Sequence, residues 1–209
     1  SCSNRLPADN IVARVNKENA LRKKIEIFAD LGQLASVVRC CDEILILVPG
    51  EESIVSRKRG ALIKLRRWDE ALEGADIALQ RIILFEQSIK EEDPAKKILC
   101  YDRLLAMGLP NDERVVVLIS KGLLFGGSDE AVACFNQALE ISPGHPGAIK
   151  AKVTFWIEAA RRHNEEGELL KVLDCYIAAL GSDPENDAVM ALYIEFLLRI
   201  IKEHFSEDH

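Results

Sequence analysis

Apolar residues recur along this chain at i, i+3, i+4 and i+7, the spacing that lines one face of an α-helix. The clearest run is Ala131, Cys134, Phe135, Ala138 and Leu139. Near the carboxyl end the same stripe returns as Val189, Tyr193, Phe196, Leu197 and Ile200. Residues 10–30 read as a helix with Ile11, Val15, Leu21, Ile25 and Phe28 on one side. Turn signals separate these runs at Val48-Pro49-Gly50, Gly108 to Asp112, Gly126-Gly127-Ser128-Asp129 and Ser142-Pro143-Gly144. Helix starts are predicted at Asp93-Pro94, His145-Pro146 and Asp183-Pro184. Proline fits the first helical position because its missing N–H would have no partner there.

The stripes repeat. Ala131 to Pro143 and Val172 to Pro184 share a cysteine followed by an aromatic, then Ala-Leu, then proline, at identical offsets. Further copies centre on Cys40-Cys41, on Cys100-Tyr101 and, in degenerate form, on Ala71, Ala75 and Ala78. With Cys41, Ala75, Tyr101, Phe135 and Tyr176 taken as equivalent, the steps are 34, 26, 34 and 41 residues. Cys40, Cys100, Cys134 and Cys175 fall on one repeat position, where the remaining copy has Gly74. A position restricted to Cys or Gly reads as close packing between helices, so buried thiols are expected rather than metal or redox chemistry.

These segments resemble tetratricopeptide (TPR) repeats, whose period is about 34 residues. Ala71, Ala75 and Ala78 match the second helix of one repeat. Ala131, Phe135, Ala138 and Pro143 match another, and Tyr176, Ala179 and Pro184 a third, with Val172 in place of the first alanine. The resemblance spans about residues 18–205. It implies an all-α fold: an α-solenoid of antiparallel helix pairs, about five TPR-like repeats, with a C-terminal capping helix over 184–204. The expected organisation is a disordered segment at 1–9 and one helical repeat domain over 10–205. The 26-residue step predicts one long helix over 69–92, with the first helix of that repeat absorbed into it. The 41-residue step places seven extra residues in 160–167, as a helix extension or a longer loop.

The resemblance also implies a function, which is non-catalytic binding of another protein. In such arrays the first helix of each pair, helix A, lines a concave groove that takes an extended peptide or a helix. Matching Gly32 to the turn between helices A and B, and Gly60 to the small position of helix A, directs Arg22, Arg57 and Lys64 into the groove. Lys150 joins them from the repeat that starts at Pro146. Cations in a concavity suit an acidic peptide, because an enclosed surface focuses the field. The lysine–asparagine carboxylate clamp of some TPR domains is not expected, since Glu26 follows Arg22 and Ala61 follows Arg57 by one turn. The rival expectation is a homo-oligomer assembled through the 69–92 helix or through the repeat ends.

Composition narrows the field. The 209 residues carry a net charge of −7 and a pI near 5.3, which disfavours nucleic acid. Apolar runs such as Ile44 to Val48 are far short of a membrane span. Six cysteines occur with no C-x-x-C pair, and burial of most of them points to a reducing compartment, the cytoplasm. Because residue 1 is Ser, a processed or excised fragment is expected. No catalytic constellation, phosphate loop or cofactor motif is found. His163 with Glu165 and Glu166 lacks a second His or Cys at ligand spacing, so it reads as a polar loop with no metal. Trp68 is expected to pack at a helix turn and Trp156 in the core.

Overall fold

The computed structural model describes residues 8–206, with side chains described over 11–203. Among the described residues there are eleven α-helices and no strand. In chain order they are α1 (Ala8–Asp30), α2 (Leu34–Leu47), α3 (Glu52–Lys64), α4 (Trp68–Leu72), α5 (Ile77–Lys90), α6 (Pro94–Ala106), α7 (Asn111–Leu124), α8 (Asp129–Ile141), α9 (Pro146–Glu165), α10 (Leu169–Ser182) and α11 (Asp187–Ser206). They gather into two compact units that divide between Lys90 and Glu91. Of the segment expected to be disordered, residues 1–7 lie outside the described residues, and Ala8 and Asp9 belong to α1.

In the first unit α1 packs against α2, α2 against α3, and α3 against the short α4. Gly32, with φ of 69°, makes the reversal between α1 and α2, as the sequence pattern requires. In the second unit the most extensive pairings are α9 with α10 and α7 with α8. These are successive antiparallel hairpins, here labelled helix A and helix B of each pair. Helix B of the five expected copies is α2, α4, α6, α8 and α10.

The repeated cysteines are buried as the pattern predicts. Cys40, Cys100, Cys134 and Cys175 expose 2–6% of their surface, beside Ala71, Ala131, Ala138 and Ala179 at 0%. Small side chains on helix B let helix A approach closely. On the helix-A side, Gly122 of α7 lies directly against the ring of Phe135 on α8. Ala159, Ala160, Val172, Cys175 and Phe196 form one core cluster of the second unit, with Trp156 and Tyr176 packed against it. Trp68 is buried at the start of α4.

Four expectations are corrected. The 69–92 segment is not one helix: it breaks after Leu72, where Gly74 adopts φ of 63°, and restarts at Ile77. Asp76 caps the restart by accepting a hydrogen bond from the Leu79 N–H at 2.8 Å. Gly74 therefore makes a left-handed turn and is not a packing position equivalent to the cysteines. The 26-residue step arises because α4 is only five residues long. Gly60 is exposed with no atom near its missing Cβ, and the buried small residue of α3 is its neighbour Ala61. Pro184 does not open a helix. The α10 helix runs to Ser182, and α11 starts only at Asp187, with Asn186 accepting from the Val189 N–H at 3.2 Å. The other two proline starts hold, capped by Asp93 on Ala95 and by His145 Nδ1 on Ala148. The extra residues of the last step extend α9 to 20 residues.

Candidate functional site

In the first unit, Arg22 on α1 donates to Glu18 at 2.7 Å and to Glu51 at 2.5 Å. Arg57 on α3 holds Glu26 of α1 through both guanidinium nitrogens, one contact being 2.8 Å. Residue order rises together along the two helices in these pairs, so α1 and α3 run in the same direction, as successive A helices do. Glu51 sits below the usual carboxylate range, chiefly because Arg22 donates to it. The Arg22 guanidinium is correspondingly held charged, first by Glu51 and then by Glu18. Both arginines thus act as ties between helices.

Lys64 is exposed at the end of α3, and Lys150 is exposed on α9 in the second unit; neither makes an ion pair among the described residues. Arg22 and Arg57 are therefore brought together on adjacent helices, Lys64 lies two turns beyond Arg57, and Lys150 belongs to a separate compact unit.

Two clefts open along the A helices of the second unit. The larger, about 1060 Å³, runs between α9 and α11. Tyr176 and Phe196, with ring centroids 5.9 Å apart, contribute its aromatic lining. Leu192, Ile194 and Leu198 line it while remaining 38–53% exposed. Arg161, Arg199 and Lys202 supply positive charge, answered in part by Glu195 and Glu203. Arg199 donates to Asn164, which ties α11 to α9, and lies over the Phe196 ring of its own helix. The smaller cleft, about 240 Å³, lies between α7, α8 and α9 and is lined by Gly122, Gly127, Phe135, Phe155, Glu158 and Arg162, among others.

Helical spacing connects the two clefts. Lys150, Thr154, Glu158 and Arg161 follow one another at steps of four, four and three residues, so they share one face of α9. That face borders the smaller cleft through Thr154 and Glu158 and the larger one through Arg161. Thr154, Phe155 and Arg162 were not singled out by the sequence pattern, although the spacing of Thr154 from Lys150 carried the signal.

One group among the described residues could gather a metal ion: His163, Glu166 and Glu168. It differs from the sequence grouping because Glu165 turns away to Arg161, and Glu168 takes its place. His163 Nδ1 lies 2.6 Å from Glu168 and 3.4 Å from Glu166. Glu168 also accepts from Lys171 at 2.7 Å, and this lysine first, then His163, holds its carboxyl below the usual range. The cluster joins the end of α9 to the start of α10 across Gly167, which is the work of a polar turn. Burial raises the thiols of Cys40, Cys41, Cys100, Cys134 and Cys175, the second to about 11. That disfavours the thiolate, the form in which cysteine attacks or ligates.

No family model matches the chain, and no curated protein matches it. Solved structures do. A thermophilic TPR protein of Thermus thermophilus is 19% identical, with 87% of this chain and 99% of that one covered and a TM-score of 0.33. A tetratricopeptide repeat protein from Parabacteroides merdae is 15% identical, with 92% and 77% covered and a TM-score of 0.37. The fold assignment stands on this chain's own helix pairs, its recurring Cys-aromatic and Ala-Leu positions, and the close contact at Gly122. By these features it is an all-α protein built of repeated helix pairs.

Proposed function

We propose that this chain is a non-catalytic interaction scaffold that docks a segment of another protein along the A-helix face of its second unit. The observation that carries this reading is the α9–α11 cleft, where Leu192, Ile194 and Leu198 stay exposed beside the rings of Tyr176 and Phe196. An apolar strip edged by charge is the usual form of a groove for a peptide or an amphipathic helix. Of the four cations expected in the groove, Lys150 belongs to this face. Arg22 and Arg57 serve the α1–α3 tie, and Lys64 stands at the end of α3 in the first unit. The partner is an acidic peptide rather than nucleic acid. Among the described residues no helix is long and apolar enough to cross a membrane. The free buried thiols support the cytoplasm as its compartment.

A photo-crosslinking side chain placed at Leu198, and for comparison at Gln137 on a helix B, tests this reading. Leu198 is expected to capture a partner segment that Gln137 does not, and equal labelling at both would overturn the assignment of the face. Self-assembly is the second reading, favoured by the outer stripe of Met190, Ile194, Leu198 and Ile201 on α11, each 40–53% exposed. It predicts a crosslinked dimer of this chain and a concentration-dependent mass in light scattering.

A further inference from the structure

The smaller cleft has features that select a ligand. At about 240 Å³ it falls below the ~300–1,000 Å³ of sites that enclose a small molecule, so it suits one large side chain. Gly122, Gly126 and Gly127 leave one side of it without Cβ atoms, and Phe135 and Phe155 form an aromatic side with centroids 6.5 Å apart. The Arg162 guanidinium lies against Gly127, where a Cβ would fall 1.9 Å from Nη1 and 2.3 Å from Cζ. Among the described residues this guanidinium makes no ion pair or hydrogen bond. The one carboxylate lining the cleft, Glu158, is already held by Arg161 at 2.8 Å. An apolar hole with an unanswered positive charge beside it remains.

We propose, on the reading that the A-helix face is the docking face, that this cleft anchors an acidic partner peptide by one large apolar side chain, phenylalanine or leucine, while Arg162 takes the carboxylate next to it. A guanidinium presents two parallel N–H donors matched to a carboxylate, so the pairing fixes the peptide's register as well as its charge. Lys150, unpaired and one turn before Thr154, extends the positive edge toward a second acidic residue. The apolar hole and the fork act together, so a peptide that carries one feature alone binds weakly.

The test is fluorescence anisotropy on the intact chain with a dye-labelled peptide of about ten residues, glutamate alternating with glycine around a central Phe-Glu. Saturable binding is expected. It should weaken about tenfold when the phenylalanine becomes alanine, and vanish when the glutamates become lysines. Arg162→Glu should abolish it. Gly127→Ala keeps the arginine but puts a methyl group where the guanidinium lies, so it should weaken binding severalfold while the melting temperature stays near that of the parent. Arg162→Lys should retain the salt dependence and lose most of the affinity. The proposal is overturned if the peptide fails to bind by about 1 mM, if the alanine peptide binds equally well, or if Arg162→Glu binds like the parent. Specific partner capture at Leu198 with no binding of this peptide would remove the anchor and leave the docking face standing.

Discussion

A Cβ placed on Gly122 of α7 would lie 2.6 Å from Cε1 of Phe135 on α8 and 3.1 Å from the Cβ of Cys134. Phe135 is 1% exposed and cannot swing out, so the ring and the glycine fix the distance between the two helices. Gly122→Ala is therefore expected to lower stability by about 1–3 kcal/mol through overpacking, despite alanine's better helix propensity. Thermal or urea unfolding of the variant measures it. A melting temperature equal to or above the parent's would show that α7 and α8 can separate freely.

Gly60 gives the opposite expectation. It sits inside α3, exposed, with nothing within 4 Å of its missing Cβ and no positive φ. Gly60→Ala should stabilise by about 0.5–1 kcal/mol, because it only removes freedom from the unfolded chain. The same melts read this difference.

Gly74 isolates backbone conformation from packing. Nothing crowds it, yet its φ is 63°. Gly74→Ala should cost about 1–2 kcal/mol, and Gly74→Asn clearly less, because asparagine tolerates the left-handed region. Equal stability of the two variants would mean that the α4–α5 break does not need this conformation.

The tie between Arg22 and Glu51 should be visible in acid. Glu51 has its carboxyl lowered in the folded chain, so its contribution is complete above the ordinary carboxylate range and disappears as pH falls through the lowered value. The difference in melting temperature between the parent and Glu51→Gln is expected to be largest near neutrality and to shrink below about pH 4. A difference constant from about pH 7 to pH 3 would show that the pair contributes nothing through charge.

Cys41 titrates in the other direction. Burial lifts its thiol from 9.0 to about 11, so the folded chain binds this proton more tightly than the unfolded chain. Its share of stability is whole below pH 9.0 and is lost as pH rises toward 11. At about pH 8, just under the ordinary thiol range, iodoacetamide followed by mass spectrometry should leave Cys40, Cys41, Cys100, Cys134 and Cys175 unmodified in the native chain and modify all five in urea. Rapid native labelling of Cys41 would contradict its burial.

Helix identity was legible because it is a local property. The stripe through Ala131, Cys134, Phe135 and Ala138 encodes both a helix and the side it buries, and all four are buried. The break at Gly74 was not legible, because one glycine inside an apolar run is compatible with a continuous helix; its positive φ reveals the turn. Asp183-Pro184 misled for a related reason. Proline at a helix start and proline in the turn before it look alike until the cap, here Asn186, is located. The candidate site was harder still. Arg22 and Glu51 are 29 residues apart and meet only because the start of one A helix is laid beside the next. Lys150 was found by register. Gly127 and Arg162 lie about one repeat period apart, but neither occupies a recurring motif position, so nothing in the sequence marks their contact.

Nearly every substantial helix contact inside either unit joins neighbours in sequence; α7 with α9 is the exception, and it skips one helix. Such a chain has low contact order, so little loop-closure entropy stands between collapse and the native pairing. Each hairpin can form as soon as its second helix leaves the ribosome, without waiting for distant segments. Unfolding has a matching direction. The α11 helix packs on α10 far less extensively than α10 packs on α9, so amide exchange should reach it before the α9–α10 hairpin, and the proposed docking cleft would open from its α11 side first.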